Sequence, residues 1–101
     1  MFARIHTLKT TPEQHDEGLE VVRDHLLPWA RESTGFRGLI SLADRARSTT
    51  LVVTFWADEE SLSASEASGD KLSALAATTV GAERRSLEDF EVTLFELGPA
   101  G

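Results

Sequence analysis

An α+β fold, with helices on one face of an antiparallel four-stranded sheet, follows from three observations on the sequence. β-forming runs and helix-patterned stretches alternate in the order strand, helix, strand, strand, helix, strand; the two middle runs are joined only by Arg45-Ala46-Arg47-Ser48; and the strands carry large apolar groups at both parities. The order is that of a split βαβ unit repeated twice, the ferredoxin-like βαββαβ plan, which puts both crossover helices on the same side of the sheet. With 101 residues, 41% apolar and 27% charged, the chain suits one domain, residues 1–97, and a tail at 98–101.

Each element has a local reason. Residues 2–8 are rich in β-formers, and Thr10-Thr11-Pro12 ends that strand. Thr11 is placed to cap a helix with Pro12 at its first position and Gln14 completing a capping box, and Leu19, Val22, Leu26, Trp29 and Ala30 form its apolar stripe. Pro28 lacks an N–H for the helix ladder, so a kink or a tightening is expected near Leu27, with Gly35 as the C-terminal stop. Phe36–Asp44 and Thr49–Trp56 form a hairpin. Asp58-Glu59-Glu60 suits the positive end of a second helix, which Gly69-Asp70 is expected to split; Asp70 would cap a further piece carrying Leu72, Leu75, Ala76 and Thr79 to a stop at Gly81. The alternation over 88–97 predicts the last strand.

Seventeen Asp and Glu against ten Lys and Arg give a net charge of −7, which repels nucleic acid phosphates and anionic lipid. The chain has no Cys, hence no disulfide, thiolate metal ligand or thiol nucleophile. Its first residues show no basic leader before an apolar run, and no window has the length of a membrane span, so a cytoplasmic location and no membrane partner are expected. Helices cover one sheet face only, yet Ile40, Leu42, Leu39, Leu51, Val53 and Phe55 occupy both parities of the middle strands. The uncovered face therefore calls for a second copy, and a homodimer packed sheet to sheet is expected.

Gly35-Phe36-Arg37-Gly38 opening the second strand, Asp44-Arg45 at the hairpin, and Thr54-Phe55-Trp56 followed by Asp58-Glu59-Glu60-Ser61-Leu62 resemble the antibiotic-biosynthesis-monooxygenase (ABM) family of the dimeric α+β barrel superfamily, over residues 1–97. The resemblance implies a dimer and a small-molecule pocket in each subunit between sheet and helices. It also implies, for the oxygenases of the family, cofactor-independent oxidation of a small aromatic substrate as its enolate or phenolate. Of the Asn, Trp, Tyr and Arg such members use, the Trp corresponds to Trp56; Asn and Tyr do not occur in this chain, and no Arg counterpart can be placed. The haem-degrading branch uses an Asn on the first strand and a His on the second helix; here those places hold His6 and a stretch of Ser, Ala and Glu66, so neither haem nor another cofactor is expected.

His6, in mid-strand with an imidazole suited to proton transfer near neutrality, is the candidate catalytic residue, against a reading as a core His satisfied locally. Arg4 shares its face and either binds an anionic substrate group or pairs with a carboxylate on a neighbouring strand. Trp56 and Trp29 are candidate substrate-binding rings, and His25, beside the helix stripe, would reach a pocket edge. His15, four residues before Leu19, falls on the buried stripe. His15 and His25 lie about 15 Å apart along one helix, so no metal site is expected. No Gly-x-Ser-x-Gly elbow or phosphate loop occurs. The sequence thus predicts an ABM-like small-molecule-binding homodimer acting as a monooxygenase on a small aromatic substrate; the alternative is a non-catalytic binding or stress-associated barrel protein.

Overall fold

Strand β1, Phe2–Lys9, runs between two antiparallel neighbours in a sheet of order β2-β3-β1-β4, where β2 is Phe36–Asp44, β3 Thr49–Trp56 and β4 Glu83–Glu91. This computed structural model describes residues 1–99 and, in the last helix, side chains as far as Glu66 together with Gly69, Ala74 and Thr78. The ferredoxin-like α+β arrangement is the one the element order predicts.

Helix α1, Pro12–Val21, begins with the capping box: Thr11 Oγ1 accepts from the Gln14 N–H at 3.1 Å and Gln14 Oε1 accepts from the Thr11 N–H at 2.9 Å. It runs into a π-helical turn, Val22–Leu26, and then α2, Leu27–Glu32. Near Leu27 the helix therefore widens where a kink or a tightening was expected. Pro28 cannot donate to the Asp24 carbonyl and its ring crowds that turn; one extra residue in the turn, with the Leu27 N–H bonded to the Val22 carbonyl, accommodates both. Gly35 then turns the chain at φ +80°, where a Cβ would collide with Ser61, and its carbonyl accepts from the Ala57 N–H at 2.7 Å.

Two further expectations are corrected. The second crossover is one helix, α3, Glu59–Val80, and Gly69 does not break it. A Cβ on Gly69 would lie 2.5 Å from the Trp29 ring, so the glycine serves close approach of helix and indole. The expected stripe of Leu72, Leu75, Ala76 and Thr79 lies outside the described side chains. The last strand is Glu83–Glu91, starting and ending earlier than the 88–97 alternation indicates. Its place is set by pairing: Lys9↔Glu83 through Phe2↔Glu91 runs the length of β1, and the Val92 N–H bonds the Met1 carbonyl at 2.8 Å. Residues 92–99 lie beyond the strand, with Leu94 at 83% and Leu97 at 80% exposure, while Phe95 packs edge-on against Phe55 at 5.4 Å.

Arg4 and His6 of β1 share the helix-covered face with Thr50, Val52, Thr54 and Trp56 of β3, and the core gathers there around Leu26, Ala30, Trp56 and Leu62. The opposite face is apolar and open: Ile40, Leu42 and Phe90 are 44%, 47% and 51% exposed beside Leu51 and Val53. Among the described residues, no helix is long and apolar enough to cross a membrane.

Candidate functional site

Strand periodicity points every second side chain at the helices, which is why Arg4, His6, Thr54 and Trp56 meet on one surface. Trp56 is 1% exposed and donates its indole N–H to Thr54 Oγ1 at 3.0 Å, so the ring's orientation is fixed from its own strand. Trp29 from α2 stands edge-on to it at 6.2 Å, and Phe36 from β2 does the same from the other side at 5.6 Å. These T-shaped contacts pack the three rings together between helix and sheet.

Arg4 is buried and pairs with Asp89 on the adjacent strand, through Nε–Oδ1 at 2.9 Å and Nη2–Oδ2 at 3.2 Å, and its Nη1 also donates to Ser65 Oγ at 3.4 Å. The bidentate geometry is the strong form of such a pair. Its guanidinium is thus engaged by the neighbouring-strand carboxylate that the sequence offers as one of two readings.

Three spaces run along this face, each sharing walls with the next. An outer groove of about 480 Å³ lies between Trp29, Trp56, Ser61 and Ser65, with Asp58 and Glu60 on its rim. A central void of about 10 Å³ is bounded by Arg4, His6, Trp29, Trp56 and Gly69. An inner cavity of about 60 Å³ takes His6 and Leu26 as shared walls and adds His15, Leu19, Val22 and Val52. Trp29, seated on Gly69, stands between groove and interior. Of the residues singled out from sequence, His6, Arg4, Trp29 and Trp56 converge on the central void. His25 does not: it is exposed on the π-helical turn and lines none of these spaces.

His15 belongs with the converging group. It is buried, its Nδ1 lies 2.8 Å from Thr50 Oγ1, and Thr50 Oγ1 lies 2.6 Å from Thr10 Oγ1, a hydrogen-bonded chain from helix to sheet. Its position on the apolar stripe was the available signal; its orientation toward the same cavity as His6 depends on how α1 crosses the sheet. On the groove side, the Ser61 backbone N–H at 2.7 Å, and then its side chain, hold the Asp58 carboxyl below its ordinary pKa. Among the described residues, no group of three or more His, Asp or Glu could hold a metal ion.

No protein-family model matches the chain, and no curated protein matches it significantly. Solved structures do. The monooxygenase ActVA-Orf6 of Streptomyces coelicolor, in complex with nanaomycin D, aligns over 98% of this chain and 92% of its own, with TM-score 0.72 at 14% identity. SnoaB, a cofactor-independent oxygenase of Streptomyces nogalater in an asparagine-to-alanine variant, aligns over 93% and 94%, with TM-score 0.70 at 9% identity. An arginine-to-serine variant of MhuD with two manganese protoporphyrin IX bound per active site aligns over 97% and 100%, with TM-score 0.67 at 27% identity. The structural resemblance to ABM-family proteins extends over nearly the whole chain, and the fold is theirs.

Proposed function

We propose that the chain is an ABM-like small-molecule-binding homodimer that oxidises a small aromatic substrate with dioxygen and without a cofactor. The observation that carries this reading is the convergence of His6 and Trp56 on one void beneath the helices. For this the void of about 10 Å³ has to open into the outer groove past Trp29; an imidazole nitrogen of His6 then takes the proton of a substrate hydroxyl and Trp56 holds the ring while the anion delivers its electrons to oxygen. The substrate enters from the outer groove, where both indoles form the wall. Dimerisation is supported by the open face of Ile40, Leu42 and Phe90.

Oxygen uptake with a panel of anthrols and hydroquinones tests the assignment. The parent protein is expected to turn over at least one member, and His6→Ala to lose most of that rate. Equal rates in both proteins remove His6 from the chemistry.

A second reading, a non-catalytic binding protein, is favoured by one observation: the interior is small, about 60 Å³ at its widest, well under the ~300 Å³ common for ligand sites. Binding of panel members without oxygen uptake selects it. Haemin is expected to keep its unbound absorption spectrum in the presence of the protein, since α3 carries no His to ligate iron; a shifted Soret band would replace the substrate class.

A further inference from the structure

The two edges of the sheet are guarded unequally. In the order β2-β3-β1-β4 the edges are β2 and β4. β4 carries Glu83, Arg84, Arg85, Glu88, Asp89 and Glu91, the kind of charged surface that keeps an edge strand from pairing with another chain. β2 has no such protection. Over residues 38–43 it reads Gly-Leu-Ile-Ser-Leu-Ala, without a charge or a proline, and Ile40 and Leu42 are exposed. Its register shift lies between Phe36 and Gly38, so residues 39–44 are left regular. An apolar, regular edge is a template for one more strand.

The chain also holds a strand-patterned segment with no place in its own sheet. Val92-Thr93-Leu94-Phe95-Glu96-Leu97 continues the alternation of β4, with Val92 and Leu94 at one parity and Phe95 and Leu97 at the other. Pairing with β1 nevertheless stops at the bond from the Val92 N–H to the Met1 carbonyl, and Leu94 and Leu97 are left 83% and 80% exposed. Apolar groups at both parities suit a strand covered on both faces. Phe95 rests edge-on against Phe55, which shares the open face with Leu51 and Val53, so the segment emerges on the surface where a second copy would pack. Its own β2 is out of reach. With neighbouring strands about 4.8 Å apart, the free side of β2 lies about 19 Å from β4. Residues 92–97 fully extended span about 20 Å, so the crossing alone uses them up.

We propose that residues 92–97 of each copy add as a strand to the free edge of β2 in a second copy of this chain, with main-chain hydrogen bonds along residues 39–43. There one side of the added strand continues the helix-covered face and the other meets the opposing sheet, the two-sided burial that its alternation calls for. Reciprocal exchange of two identical segments closes on a pair, and the edges that would template open-ended pairing are used up. The proposal rests on the homodimer reading and adds to it the element that fastens the two copies; it is independent of any aromatic oxidation.

NMR on a mixture of copies labelled with heavy nitrogen and copies labelled with heavy carbon tests it on the full chain. Intermolecular contacts are expected between residues 93–97 of one copy and residues 39–43 of the other, and the amides of 93–97 should exchange at least tenfold more slowly in the dimer than after dilution to monomer. Adjacent residues of a strand point their N–H groups to opposite edges, so one of Leu94→Pro and Phe95→Pro must remove a donor from the added ladder. Both positions lie beyond β4, so each variant should keep the parent's circular dichroism spectrum, and at least one should raise the dimer dissociation constant tenfold or more by sedimentation equilibrium. Contacts of 93–97 confined to their own copy, or parent-like dissociation constants in both proline variants, would overturn the exchange while leaving a dimer packed through Ile40, Leu42 and Phe90. A parent that stays monomeric removes the dimer and the exchange together, so the two failures are distinguishable.

Discussion

At the level of single residues, the contact between Gly69 and Trp29 sets two effects against each other. Alanine in a helix interior is favoured over glycine by about 1 kcal/mol, but here its methyl would sit 2.5 Å from the indole. Overpacking of that kind costs about 1–3 kcal/mol, so Gly69→Ala is expected to lower the melting temperature and alter tryptophan fluorescence. In a Trp29→Leu background the same substitution should become neutral or stabilising. The reversal of sign, measured by thermal unfolding of the four proteins, separates the close contact from helix propensity.

The Arg4–Asp89 pair carries a second asymmetry. The guanidinium is 5% exposed and the carboxylate 44%. Removing Asp89 strands a buried charge, whereas removing Arg4 leaves a carboxylate that water can reach. Asp89→Ala is therefore expected to cost about 3 kcal/mol and Arg4→Met about 1 kcal/mol in denaturant unfolding. A larger loss in Arg4→Met would mean that the arginine holds more of the site than its hydrogen bonds indicate.

Among the elements, α3 starts on Asp58, whose carboxylate accepts from the Ser61 N–H. That bond holds the acid below its ordinary pKa, so its contribution is present above the usual carboxylate range and is lost as pH falls through the lowered folded value. Asp58→Ala should be less stable than the parent at neutral pH, and the difference should shrink in strong acid. A difference that stays constant with pH would assign the effect to something other than the charged cap.

How much of these elements the sequence carries depends on whether their causes are local. The hairpin strands Phe36–Asp44 and Thr49–Trp56 and the Thr11 capping box are written in adjacent residues, and they stand in the structure where the sequence puts them. The course of β4 is decided by β1, far away in sequence, and its charged residues Glu83, Arg84 and Arg85 disguise an edge strand beside a more apolar stretch. Gly69 reads as a breaker because its reason is an indole on another helix. The site divides similarly. The shared face of Arg4 and His6 follows from strand parity, whereas the meeting of His15 with Thr50 and the exposure of His25 depend on the helix's rotation over the sheet.

For the molecule as a whole, the open sheet face is the feature that governs behaviour in solution. Ile40 and Leu42 lie on β2 at one edge and Phe90 on β4 at the other, so the apolar surface spans the sheet. Light scattering is expected to give a dimer at micromolar concentration. Ile40→Glu or Leu42→Lys should shift it to monomer, because a charge desolvated against a second apolar sheet has no partner. A monomeric parent, or variants that dimerise unchanged, would remove the sheet-to-sheet arrangement.

Gln14 does two jobs with one amide: its oxygen secures the first turn of α1, and its nitrogen donates to the Gly81 carbonyl at the far end of α3 at 3.0 Å. This side chain also borders the inner cavity, so the stitch that starts one helix forms part of the wall beside it. Fraying of that turn would release one wall residue and the tie to Gly81 together, and hydrogen exchange at the opening turn of α1 should report how often both let go.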